Sequence, residues 1–302
     1  MDTYQVSDPP KTYVLLTVDV EDWFQVENLR TQFPVAVWPS CELRVERNTH
    51  RLLDLFDDPC GGSDIAADKP TRGLRATFFV LGWIAKRLPG LVREIHERGH
   101  EVASHGFNHQ LCGGQSREEL SRDIGDSKKL LEDIIGAEVY GFRAPSFSIT
   151  RQVLEILTEC GYRYDSSFNS FALNSRYGTL DLLDETRKGI AFQLSTHLHE
   201  IPVSNLQWGK ITVPIGGGGY FRLIPFFLFH KAVQWVMRRQ GAYVFYVHPW
   251  EIDSGQPRVA GARFDQKVRH YCNLDGTLGK LGAFLLSCRE SRFVTCMQYL
   301  QE

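Results

Sequence analysis

The chain has no hydrophobic run long enough to cross a bilayer. The apolar stretch IPFFLFHKAVQWVM is interrupted by His230, Lys231 and Gln234. The N-terminus, MDTYQVSDPPKTYVLLTVDV, lacks a basic segment followed by a long apolar one, and the run from Val14 to Val18 is too short for a secretory signal. These absences predict a cytoplasmic protein, with peripheral attachment at the inner membrane as the other placement. No CxxC pair occurs. The seven cysteines, at 41, 60, 112, 160, 272, 288 and 296, are odd in number and far apart, which argues against a disulfide framework or a zinc ribbon and for reduced, mostly buried thiols. Charge of one sign is also missing. Lys+Arg 34 against Asp+Glu 36 leaves a net −2, which argues against a non-specific nucleic-acid binder. There is no internal repeat, no low-complexity tract, and no glycine-rich phosphate loop after the first strand. The run IGGGGYF at 215–221 lacks the Lys-Ser/Thr of a P-loop and reads as a flexible loop near the groove.

What is present is a chain of 302 residues, 43% hydrophobic and 23% charged. That suffices for one large α/β barrel or two ordinary domains. Residues 1–11, polar with Pro9 and Pro10, read as a loose arm. Residues 59–73 read as a loop by composition. Between them and beyond, short strands alternate with helices. TYVLLTVDV, RATFFVLG, HEVASH, EVYGFRAP, YRYDSS, HEIPVSN and AYVFYVHPWE are strand-like. RNTHRLLDLFDD, LPGLVREIHERGH, TRQVLEILTECG and TLGKLGAFLLSCRES are helical, as is SREELSRDIGDSKKLLEDIIG, which opens on a Ser116–Glu119 capping box. RFVTCMQYL closes the chain as a strand and a short tail. Such alternation predicts parallel strands with crossover helices, in a doubly wound sheet or a barrel. The residues able to do chemistry fall at strand C-terminal ends, in VDVED, ASH, FRAP, YDSS and YVHPW. Both architectures place their sites at that edge.

The stretch HEVASHGFNHQ holds three histidines. His105 and His109 are four apart, which on a helical turn puts two imidazoles on one face, within reach of one ion. The plain alternative is two solvent-facing or locally hydrogen-bonded histidines. His100 follows Gly99 and belongs to a turn. A catalytic metal takes three protein ligands and keeps a position open. DVED offers Asp19, Glu21 and Asp22, and in an extended chain residues 19 and 21 point the same way. His248, at the end of an apolar strand, is a general acid or a satisfied core residue. Arg143 can hold a carboxylate, or be a structural ion pair. Asp165 can orient the acid histidine, or merely cap a strand. Trp23, Phe24, Phe33 and Trp38 suit stacking on sugar rings, or core packing.

Taken in order, TVDVED (17–22), SHGFNH (104–109), RAPS (143–146), DSSF (165–168) and YVHP (246–249) resemble the five motifs of the polysaccharide deacetylases, the NodB-homology group of carbohydrate esterase family 4. The resemblance runs over roughly residues 12–300. It implies an α/β fold, a distorted (β/α)7 barrel of parallel strands with its active site at their C-terminal ends. It implies one domain over 12–302 that includes a C-terminal extension from about 250. It also implies hydrolytic removal of N-acetyl groups. In that pattern Asp19 is the general base and Arg143 positions it. His105 and His109 bind a divalent metal, Zn²⁺ foremost, with Co²⁺, Ni²⁺ or Mn²⁺ as other choices. His248 is the general acid, tuned by Asp165, and the Ser146 N–H helps form the oxyanion hole. The sequence departs from the usual adjacent aspartates. DVED is similar to a D-x-D branch, which makes Glu21 the third ligand and Asp22 the runner-up. The fourth motif lacks its tryptophan, so Phe168 would line the acetyl pocket. VDVEDWFQVE and VFYVHPWEID resemble a bacterial subgroup that accompanies exopolysaccharide gene clusters of the exosortase/PEP-CTERM type. That implies an N-acetylated exopolysaccharide or its precursor as substrate. The rival readings are an allantoinase-like hydrolase of small amides and a catalytically silent carbohydrate-binding homologue.

Overall fold

A computed structural model describes residues 11–59, 73–171, 174, 176–209 and 211–302. All but Lys11 of the expected arm, and most of the loop expected over 59–73 with Cys60, lie outside the described residues. The described residues form twelve strands: β1 (Tyr13–Val20), β2 (Ala76–Val80), β3 (Glu101–Ser104), β4 (Gly141–Phe142), β5 (Tyr164–Asp165), β6 (Thr186–Lys188), β7 (Ala191–Gln193), β8 (His199–Glu200), β9 (Asn205–Trp208), β10 (Ile211–Pro214), β11 (Ala242–Val247) and β12 (Arg292–Phe293). The main sheet has the order β11-β1-β2-β3-β4-β5-β8-β7-β6, with β12 also on β1. From β11 to β8 every pairing is parallel, and β7 and β6 add an antiparallel edge. The sheet curls into a distorted (β/α)7 barrel. It does not close by a regular ladder. Instead the segment after β8 reaches the open edge of β11: Val244 N–H donates to Ser204 Oγ at 2.9 Å and Tyr246 N–H to Gly216 O at 2.7 Å.

Strand alternation separates two cores. On β1, Val14, Leu16, Val18 and Val20 face the surrounding helices, and Leu15 joins Phe79, Ala103, Tyr164 and Val244 inside the barrel. Thr17 and Asp19 follow Leu15 on the inner face, so the period of two delivers a carboxylate to the inside of the strand's C-terminal end. The other end is stopped by the chain's own tail. The helix Cys296–Gln301, where a plain tail was expected, seats its first turn there: Cys296 N–H donates to Thr77 Oγ1 at 2.9 Å and Met297 N–H to Glu101 Oε2 at 3.1 Å.

The expected helices form, each with its punctuation. Helix Arg117–Ile135 starts on the Ser116–Glu119 capping box and ends at Gly136 with φ 67°. The glycine run differs from its reading as a loop. Gly217 bridges to Tyr246, and Gly218 begins the helix Gly218–Leu223. The interrupted apolar stretch becomes the helix Phe226–Gln240, and no helix among the described residues is long and apolar enough to cross a membrane. The six described cysteines form no disulfide.

Candidate active site

Four strand ends, those of β1, β3, β4 and β11, meet at the C-terminal edge of the barrel, around a cavity of about 130 Å³ lined by Asp19, Glu21, His105, His109, Ser146 and His248. Asp19 is buried. Its Oδ1 accepts from Arg143 Nη1 at 2.7 Å, and its Oδ2 lies 3.8 Å from His248 Nε2. Arg143 is fully buried, and each of its three nitrogens has a partner. Nε donates to Ser166 O, Nη2 to Ser166 Oγ, and Nη1 to Thr17 Oγ1 as well as to Asp19. The guanidinium thus fixes the carboxylate with no freedom of its own.

His105 and His109 do not share a helical turn. They sit in a loop after β3, in which Gly106 has φ 72° and His109 φ 51°. The loop is tied down from the helix Arg117–Ile135: Asp123 accepts from the N–H groups of Phe107 at 2.8 Å and Asn108 at 3.3 Å. A side chain at 106 would meet the Asp123 carboxylate at 2.7 Å, so both the space and the backbone angle require glycine. His105 Nδ1 donates to Arg143 O at 2.8 Å, which leaves Nε2 as a lone pair. Burial lowers the His105 pKa to about 4 and keeps the ring neutral.

One ligand atom each from Glu21, His105 and His109 lie within 4.8 Å of one another, all three residues buried. Glu21 Oε2 stands 2.9 Å from His109 Nε2, yet the two meet without hydrogen-bond alignment, and Oε2 is buried with no donor. Burial alone would raise the Glu21 carboxyl. The imidazoles of His109, His248 and His105 outweigh it and hold the group far below the usual carboxylate range. An anionic oxygen and imidazole nitrogens converging on one point fit a divalent ion. Asp22 turns the other way. Its carboxylate accepts from the N–H groups of Trp23, Arg44 and Val45 at 2.7–2.9 Å, tying down the start of the helix Val45–Asp57. His100, beneath the site, accepts from Ala76 N–H through Nδ1 at 3.3 Å.

The acid side of the cavity differs from expectation. His248 Nδ1 pairs with Glu251 Oε2 at 3.0 Å, and Glu251 Oε1 accepts from Arg222 Nε at 3.1 Å. Arg222 spends its other donors on the carbonyls of Arg269, His270 and Cys272. Burial would lower the pKa of His248, but Glu21, Glu251 and Asp19 together raise it to about 9. Asp165, expected to tune His248, accepts from Ser167 Oγ at 2.6 Å and Ser167 N–H at 3.1 Å. It faces Glu200, whose carboxyl burial and the Asp165 charge push well up. The reason is topological. β5 stands five places from β11 along the sheet, whereas Glu251 is one short turn after His248. The glycine run makes room for this pair, because a Cβ on Gly218 would overlap the Glu251 carboxylate.

Two expected substrate contacts are also corrected. Trp23 is buried among Phe24 and Phe33, its Nε1–H donating to Glu42 O at 3.1 Å. Phe168 is half-buried and does not line the cavity. Tyr177, Tyr246 and Trp250 line it instead, along with Phe147. Ser146 lies in the turn after β4 with φ 52° and ψ 25°, and Phe147 follows with φ 59°, two consecutive left-handed residues at the cavity wall.

Parts of the chain match known proteins. Residues 70–164 match the polysaccharide deacetylase family, and residues 166–301 match a domain of unknown function, DUF3473. A peptidoglycan-N-acetylglucosamine deacetylase of Bacillus cereus is 38% identical over 88 residues, covering 29% of this chain and 41% of that protein. A chitooligosaccharide deacetylase of Azorhizobium caulinodans is 30% identical over 124 residues, covering 40% of this chain and 59% of that protein. The chain therefore spans about half the length of these relatives. Two crystal structures share the fold across nearly the whole chain. A candidate polysaccharide deacetylase from Mycobacterium smegmatis has a TM-score of 0.60 at 18% identity, covering 98% of this chain and 92% of that one. Puue allantoinase has 0.59 at 12% identity, covering 100% and 97%. The boundary between the two family matches falls at the end of β5, inside one continuous sheet. The chain thus carries a segment that matches the polysaccharide deacetylases and a DUF3473 segment, the second completing the barrel that the first begins.

Proposed function

We propose that the protein is a metal-dependent deacetylase that removes N-acetyl groups from an N-acetylated polysaccharide or its precursor, in exopolysaccharide synthesis. The observation that carries this reading is the meeting of Asp19, Glu21, His105, His109 and His248 around one small cavity. Glu21, His105 and His109 would hold a divalent ion, Zn²⁺ by its preference for nitrogen and carboxylate ligands. Such an ion polarises the amide carbonyl and acidifies water.

The chain's own groups account for the proton movements. Asp19, locked by Arg143, takes a proton from the attacking water. The Ser146 N–H donates to the oxygen that becomes anionic as the tetrahedral centre forms. His248 is protonated below about 9, so at neutral pH its Nε2–H is available to the departing nitrogen. Glu251 holds Nδ1 and orients the ring. The C–N bond breaks, and amine and acetate leave. A cation beside Glu21 offsets part of that carboxylate's pull on His248, which leaves Glu251 as the group that sustains the imidazolium.

The test is acetate release from N-acetylglucosamine oligomers by the full chain, with metal analysis and a chelator arm. Acetate release that the chelator abolishes and Zn²⁺ restores is expected. Turnover of small cyclic amides without acetate release, or acetate release indifferent to chelation, would sink the reading.

A further inference from the structure

The cavity holds more positive charge than the hydrolysis uses. Arg143 is matched to Asp19, and Arg222 to Glu251. Two further guanidiniums, those of Arg176 and Arg269, line the same cavity. Arg176 comes from the segment between β5 and β6. Its Nη2 donates to Asn28 Oδ1 at 2.7 Å, which pins it beside the turn that follows β1. Arg269 is exposed on the helix Phe264–Tyr271. It precedes His270, whose ring stacks on Trp250 at 4.4 Å. Both therefore stand on anchored elements. Among the described residues, neither guanidinium has a carboxylate at ion-pair distance. The two other arginines next to the site, Arg143 and Arg222, each have one. The remaining carboxylate on the wall, Glu27, pairs with neither. With a divalent ion on Glu21, His105 and His109, the wall is net positive.

We infer that Arg176 and Arg269 form a subsite for an anionic group on the glycan, so that the substrate is an acidic N-acetylated sugar chain and not a neutral one. This rests on the deacetylase reading and narrows its substrate class. Guanidinium forks match the planar pair of oxygens on a carboxylate or a phosphate. The charge can thus be a uronate within the chain or a phosphate on the sugar. Both arginines belong to the DUF3473 segment, so that segment supplies selectivity as well as the acid His248.

The test measures equilibrium binding to full-length Asp19→Asn protein, loaded with Zn²⁺. The three ligands are a neutral N-acetylglucosamine tetramer, an N-acetylglucosamine–glucuronate tetrasaccharide and N-acetylglucosamine 1-phosphate. At least tenfold tighter binding of one acidic ligand than of the tetramer is expected. The acidic ligand that wins identifies the source of the charge. The preference should shrink with added salt, and fall at least fivefold in a background carrying Arg176→Gln and Arg269→Gln, with the single variants in between. Equal affinity for neutral and acidic ligands, a preference that survives both substitutions, or no binding of any of the three overturns the inference. Acetate release by the wild type from all three ligands is measured in parallel. Its absence from every one of them counts against the deacetylase reading itself and is distinguishable from a lost charge preference.

Discussion

The two halves of the barrel build the site by different means. The half from β1 to β5 contributes Asp19, Glu21, His105, His109 and Arg143, held mainly by partners from the same half, Thr17, Ser104 O, Arg143 O and Asp123 behind the histidine loop, with Ser166 adding two bonds to Arg143 and Trp250 one to Glu21. The half from Ser166 onward contributes His248. Its support, Glu251 and Arg222, comes from that half as well, and across the cavity His248 Nε2 lies 3.3 Å from Glu21 Oε1. In the proposed reaction the first half would hold the ion and the base, and the second the acid. A site so divided can lose either function while the other half stays in place.

The largest break is on the first side. His109→Ala removes a ligand and Asp19→Asn removes the base, and acetate release should fall by about 10³-fold or more with an unchanged circular dichroism spectrum. For His109→Ala, metal content should fall as well. On the second side, Glu251→Gln should cost about 10–100-fold in kcat with KM little changed. Because Glu251 raises His248, and the protonated form is the active one, loss of activity at high pH should begin at lower pH in this variant than in the wild type. Gly218→Ala should reproduce the effect by displacing Glu251. A flat pH profile in both would remove Glu251 from its orienting role.

A smaller effect separates His100 from its neighbours. Its Nδ1 accepts from a backbone N–H, and burial lowers its pKa from the ordinary 6.5 to about 4. The folded state therefore binds fewer protons than the unfolded one between those values. Its contribution to stability is complete above pH 6.5 and is lost as the pH falls toward 4, by about 2 kcal/mol at pH 5. Denaturant midpoints at pH 7 and pH 5 should converge in His100→Gln relative to the wild type. The smallest effect distinguishes adjacent carboxylates. Asp22→Asn should cost about 1 kcal/mol of stability as a weakened helix start and leave turnover close to wild type, whereas Glu21→Gln should lose metal.

Much of the first half was legible in the sequence, because period two on β1 and the clustering of motifs at strand ends are local patterns. The four-residue histidine spacing predicts a helical turn, and the structure has a loop instead, since Gly106 and the N–H acceptor Asp123 bend the chain there. Linear order does not disclose which strands are neighbours in a curled sheet, and so does not give Asp165 its partners Ser167 and Glu200. Glu251 carried a usable signal, three residues after His248 across a proline turn. The glycine run could be read as a need for space, but not as space for a carboxylate from a later segment. Trp23 shows the same limit: an aromatic side chain after a strand reads alike whether it faces sugar or core.

The pairing of β1 has a consequence for synthesis. Tyr13 to Val18 register with Ala242 to Val247, and Tyr13 and Val14 also with Arg292 and Phe293. A ribosome releases these partners about 230 residues apart or more, so the strand bearing Asp19 has one flank unpaired for most of translation. A nascent chain that has just completed the deacetylase match contains Asp19, Glu21, His105, His109 and Arg143, yet no finished wall behind the strand that carries two of them. Competence arrives late, when the final hundred residues emerge and β11 zips onto β1.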